Sequence, residues 1–213
     1  MFTVLDLRRP GLGPVSFTLD AGECVALRGP SGSGKSLLLR ALADLDPNEG
    51  TVTLAGRSRA DMPAPQWRRA VTYVPAEPGW WADTVGAHFR DWNTAEPLAV
   101  RLGLPPECRD WPVLRLSTGE RQRLGLIRAL VNGTAVNGTL VNGPRVLLLD
   151  EPTSGLDETA TAAVEQVIAE MLTAGAGVLW VSHDAAQVAR VARRLLLIEN
   201  GQVREEAVRE IGA

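Results

Sequence analysis

Eight residues, Gly29-Pro30-Ser31-Gly32-Ser33-Gly34-Lys35-Ser36, constrain this chain more than any other stretch. They fit the pattern G-x-x-x-x-G-K-[ST], follow the apolar run Val25-Arg28 and open the helix-period stretch Lys35-Ala43. Spelling and context therefore agree on a strand, a tight loop and a helix start. A glycine-rich loop of this kind wraps closely enough for successive backbone N–H groups and the helix amino terminus to converge on an anion. Lys35 adds a cation for phosphate oxygens, and Ser36 a hydroxyl suited to a divalent metal.

The rest of the chain repeats that alternation of strand and helix. Strands are predicted at Phe2-Leu7, Val15-Leu19, Val25-Arg28, Thr51-Leu54, Val71-Val74, Val146-Leu149, Val178-Val181 and Leu195-Ile198, and helices at Lys35-Ala43, Arg121-Leu130, Glu158-Thr173 and Ala185-Arg194. This is the pattern of an α/β protein with a largely parallel sheet. At 213 residues the chain has room for one sizeable domain. Its longest strictly apolar runs, such as Val146-Leu149, are four residues, against roughly 18 for a membrane span. The amino-terminal stretch Met1-Asp6 carries a charge and no basic run, so a secretory leader is not expected and the cytoplasm is. Cys24 and Cys108 offer neither a disulfide framework nor a metal pair, and a net charge of −3 argues against a broad nucleic-acid surface.

Two further strands end in chemistry. Val146-Leu147-Leu148-Leu149-Asp150-Glu151 delivers two carboxylates to the carboxyl edge of a sheet, where ligands bind in open α/β folds. Beside a phosphate loop, Asp150 is suited to hold Mg²⁺ through its water shell and Glu151 to act as general base on water. Val178-Val181 ends likewise in Ser182-His183, making His183 a second candidate. Between them, Ser117 and Glu120 of Leu116-Ser117-Thr118-Gly119-Glu120-Arg121-Gln122-Arg123 form a capping-box pattern, hence a helix start able to face an anion.

Taken together, the phosphate loop, the Leu-Ser-Thr-Gly-Glu segment, the run Leu147-Leu148-Leu149-Asp150-Glu151-Pro152-Thr153-Ser154-Gly155-Leu156-Asp157 and His183 resemble the nucleotide-binding subunit of an ATP-binding cassette transporter. The resemblance spans nearly the whole chain. It implies a P-loop nucleoside triphosphate hydrolase fold with a mainly parallel core sheet, an antiparallel β subdomain and a small helical subdomain over about 78–120, all within a single domain 1–213. It also implies ATP and Mg²⁺ as cofactors and a homodimer arranged head to tail. Each ATP then lies between Gly29–Ser36 of one subunit and the signature helix of the other, with Ser117 and Gly119 contacting the γ-phosphate in trans. Asp157 would cross the interface and His183 act as the switch residue. The implied partner is a separate transmembrane permease, which would place the subunit on the inner face of the membrane. The compact chain looks similar to small bacterial cassettes paired with metal-export permeases.

The sequence departs from the family in three places. Where members carry glutamine after a strand like Val71-Pro75, this chain has Ala76 followed by Glu77, so Glu77 is the candidate on the Mg²⁺ side. Thr118 stands where the family has glycine, and its β-branched side chain is expected to weaken the sandwich. The early loop Arg8-Pro14 lacks the aromatic residue that stacks on adenine, leaving Arg8 or Arg9 to lie over the base. The segment 131–143 holds three Val-Asn-Gly units, read as a surface loop or small hairpin. Trp80, Trp81, Trp92 and Trp111 fall where the family docks a helix of the membrane domain, and serve either that interface or a small core. Two alternatives stay open: a soluble cassette ATPase, and a regulatory nucleotide-binding module with little turnover.

Overall fold

The computed structural model describes residues 1–131, 134–136 and 139–207. In chain order the elements are β1 (Phe2–Arg9), β2 (Leu12–Leu19), β3 (Cys24–Arg28), α1 (Lys35–Leu42), β4 (Glu49–Leu54), β5 (Arg57–Ser58), α2 (Ala64–Ala70), β6 (Val71–Val74), α3 (Trp92–Arg101), α4 (Thr118–Val131), β7 (Thr134–Val136), β8 (Thr139–Asn142), β9 (Val146–Asp150), α5 (Glu158–Thr173), β10 (Gly177–Val181), α6 (Ala185–Val191), β11 (Arg194–Glu199) and β12 (Gln202–Ala207).

The central sheet has the order β12-β11-β3-β10-β9-β6, in which every pairing is parallel except that of β12 with β11. Its short apolar runs are explained by burial on both faces. Along β10, Val178 and Trp180 enter one core and Leu179 and Val181 the other; Leu147 and Leu149 of β9 divide from Val146 and Leu148 in the same way. One core is closed by α4, α5, α6 and the insertion, the other by α1 and an antiparallel sheet of order β2-β1-β4-β5. Cys24 belongs to the first core, and burial pushes its thiol up to about 12.

Between β6 and α4 the chain forms α3 and three short 3₁₀ turns. Trp92 is buried against Phe89, ring centroids 5.0 Å apart, while Trp80 and Trp111 pack partly into the core and Trp81 is 70% exposed. The tryptophans thus divide between core and surface. In the repeat segment β7 pairs antiparallel with β8, Ala135 opposite Leu140. The Asn-Gly turns at 132–133 and 137–138 lie outside the described residues.

Candidate active site

β3, β9 and β10 are neighbours in the sheet, so the loops leaving their carboxyl ends meet at one edge. From β3 comes Gly29–Ser36. Gly34 takes φ 106°, a left-handed conformation that glycine adopts without steric cost, and turns the chain directly into α1. No side chain caps α1 and its first turn holds no acid, so its leading N–H groups and positive dipole end are left for an anion. Pro30 and Ser31 lie on the exposed rim of the loop with Gly32, whereas Ser33 is buried, its hydroxyl without a hydrogen-bond partner. The Lys35 ammonium donates to the carbonyls of Gly29 and Pro30 at 2.8 and 2.9 Å, and its third proton is free to reach a phosphate. An uncapped helix start beside a pinned ammonium fits the phosphates of a nucleotide.

Ser36 Oγ donates to Asp150 Oδ2 at 2.7 Å, joining the loop of β3 to the end of β9 across 114 positions of sequence. A second donor reaches the same oxygen: Tyr73 of β6, through its hydroxyl at 3.0 Å. Burial and the Asp150 carboxylate push the Tyr73 phenol well above its ordinary value, keeping it a donor. A hydroxyl and a carboxylate at this spacing are the hard oxygen donors that Mg²⁺ accepts alongside phosphate and water, so the residues present fit the ion. Glu77 is exposed. Tyr73 carried no motif in the sequence; its signal was a hydroxyl on a strand beside that of Asp150.

Glu151 follows at φ 50°, a left-handed backbone held by its N–H on Val181 O at 3.2 Å. Such strain persists only where the surroundings over-determine it. Its Oε1 lies 2.8 Å from His183 Nε2, so the two candidates from adjacent strands are in direct contact. A cavity of about 740 Å³ opens onto this pair from the side of α5 and α6.

The signature segment folds as its capping box predicts: Ser117 N–H and Oγ both donate to Glu120 Oε2, at 2.8 and 2.9 Å. The helix therefore begins at Thr118, three residues before the apolar periodicity does. Gly119 permits close approach, since a Cβ there would stand 3.0 Å from Gly155 O. Thr118 turns its methyl toward the chain's own loop, where a side chain at Gly155 would meet it at 3.3 Å. Asp157 caps α5, its Oδ1 accepting from Ala160 N at 2.8 Å. Arg9 is engaged elsewhere, donating to Asp46 at 2.6 Å, and Pro10-Gly11 is a two-residue turn between β1 and β2.

The model of the ABC transporter family matches residues 12–154, from β2 through the loop after β9. The chain belongs to the ABC transporter family. It is an ATP-binding, ATP-hydrolysing subunit of that family. It is 34% identical to the aliphatic sulfonates import ATP-binding protein SsuB 2 of Pseudomonas aeruginosa, over 92% of this chain and 69% of that protein. It is also 34% identical to the macrolide export ATP-binding/permease protein MacB of Burkholderia pseudomallei, over 90% of this chain and 30% of that longer one. The solved ATP-binding subunit of an ABC transporter superposes with a TM-score of 0.83 at 26% identity, covering 97% of this chain and 90% of that one. A dimeric ATP-binding cassette bound to ADP and phosphate, in a post-hydrolysis state, gives 0.80 at 25% identity, with 99% and 100% covered. These ABC relatives include an importer and an exporter, and so assign neither cargo nor direction.

Proposed function

We propose that this ABC subunit is one half of a head-to-tail homodimer that closes on two ATP molecules and drives a separate transmembrane permease. The observation that carries the reading is the 2.8 Å contact of His183 Nε2 with Glu151 Oε1, on the edge where Ser36 meets Asp150. In this reading the backbone of Gly29, Pro30, Ser31, Gly32, Ser33 and Gly34, with Lys35, takes the phosphates. Ser36 and Asp150 would hold Mg²⁺, with exposed Glu77 an outer candidate, and the ion when bound would supply positive charge against the phosphates. Glu151 accepts a proton from the attacking water. His183 steadies that carboxylate and lies toward the γ-phosphate. Ser117 and Gly119 of the second copy complete the phosphate shell, and Asp157 lies at the interface.

The dimeric post-hydrolysis relative supports the two-copy arrangement, and the exposed capping box supports a signature helix that meets its ligand from another chain. For the permease, support comes from Trp81 and Leu114, 70% and 92% exposed on the insertion. No helix among the described residues is long and apolar enough to cross a membrane.

The test is Glu151→Gln and His183→Ala, with hydrolysis and nucleotide affinity measured separately. Both variants are expected to bind ATP within a few fold of the parent and to lose at least about a hundredfold in turnover. Unchanged turnover in either variant would remove that residue from the mechanism.

A further inference from the structure

Gln122 is a buried polar side chain whose carboxamide is spent entirely on another element. It leaves the start of the second turn of α4, just behind the signature residues, and reaches the loop after β9. Its Oε1 accepts from Gly155 N at 3.2 Å; its Nε2 donates to Ser154 Oγ at 2.8 Å and approaches Glu151 O at 3.5 Å. Packing removes the remaining slack, because a Cβ on Gly119 would stand 3.0 Å from both Gly155 O and Leu156 Cδ2. The start of α4 and the loop carrying Glu151 are thus one packed unit. Glu151 itself holds a left-handed backbone that depends on how that loop is held.

We propose that Gln122 is a positioning residue that couples the two ATP sites of the dimer. The inference rests on the head-to-tail reading given above. There the signature segment of one subunit touches the ATP bound by its partner, whereas Glu151 of the same subunit serves that subunit's own ATP. The Gln122 carboxamide lies between the two. Engagement of a γ-phosphate by Ser117 and Gly119 at one site is therefore transmitted through Gln122 to the general base at the other. The hydrogen bonds are directional and the contact is close-packed, so the unit shifts as a whole rather than deforming.

The experiment uses full-length subunits carrying two different tags. A heterodimer is purified from one intact subunit and one Lys35→Ala subunit, and ATP hydrolysis per intact site is compared with that of the intact homodimer. With Gln122 present, emptying the second site is expected to slow the first by at least about fivefold. With Gln122→Met in the intact subunit, the rate per site is expected to be the same in heterodimer and homodimer. Ser154→Ala, which removes only the acceptor of the 2.8 Å bond, is expected to fall between these, with thermal stability close to that of the parent. A purely structural role would lower both rates together and leave their ratio unchanged; that result would overturn the coupling. Failure of the tagged subunits to form an ATP-dependent heterodimer would overturn the head-to-tail reading as well.

Discussion

Asp150 is held from two sides, by Ser36 of the phosphate loop and Tyr73 of the neighbouring strand, and both bonds fall on one carboxylate oxygen. Oδ1 takes neither bond and, in the proposed site, would face the metal's water shell. Tyr73→Phe removes a hydroxyl and keeps the ring, so it is expected to raise the Mg²⁺ concentration needed for half-maximal hydrolysis by about tenfold, or about 1.4 kcal/mol, while metal-free ATP affinity stays as it was. Titrating Mg²⁺ against hydrolysis, and fluorescent ATP in chelator, separates the two. An Mg²⁺ requirement equal to that of the parent would show that Ser36 alone orients the carboxylate. Asp46 supplies a pH prediction. Arg40 and Arg9 hold its carboxyl well below the usual range. A depressed carboxyl contributes stability above its unfolded value of about 3.9 and loses it as the pH falls toward the folded value. Melting temperatures measured on acidification are expected to fall less steeply in Asp46→Asn than in the parent. At this scale motif spacing and strand ends single out Lys35, Ser36, Asp150, Glu151 and His183, and the fold brings these candidates to one edge of the sheet. Tyr73 and Gln122 stayed hidden, since each acts through a partner far off in the chain. Of Arg8 and Arg9, the two candidates to lie over the base, Arg9 is paired with Asp46, a partner likewise distant in sequence.

Among elements, periodicity located the buried strands well, because residues packed on both faces leave no polar gaps. It extended the last helix to Arg194, whereas α6 ends at Val191 and Arg194 opens β11 opposite Val25 of β3. Sheet pairing overrides a helical pattern there, aided by Arg194 bonding Glu23 and Glu205. The insertion resisted reading because its apolar residues serve two masters. His88 shows how: its Nε2 accepts from the N–H groups of Trp81 and Ala82 at 2.9 and 3.0 Å, and Nδ1 lies 2.9 Å from Thr84 O. The Arg128 guanidinium sits 4.7 Å from the Trp81 ring centroid. The buried imidazole thus presents Trp81 at the surface on a fixed backbone. Trp81→Asp is expected to weaken capture of the membrane partner by at least about tenfold, since exposed aromatic anchors dominate such interfaces, and to leave ATP affinity unchanged. Co-purification with the permease from membranes reads the first, nucleotide titration the second, and undiminished capture would move the docking face elsewhere.

In the whole molecule, the loops of three adjacent parallel strands bring the proposed phosphate and metal residues together on one edge, while the signature helix offers its capped amino end to solvent. In the head-to-tail reading, neither is a complete site for ATP. The β3, β9 and β10 edge was visible in sequence as three apolar runs with polar endings; the relation between two copies was visible only through family resemblance, since no single chain contains it. Light scattering of the Glu151→Gln variant with ATP tests this division most directly. A dimer is expected with ATP and a monomer with ADP, and adding Ser117→Arg is expected to keep the protein monomeric while each chain still binds ATP. A double variant that dimerises as readily as Glu151→Gln would contradict a site shared between two chains.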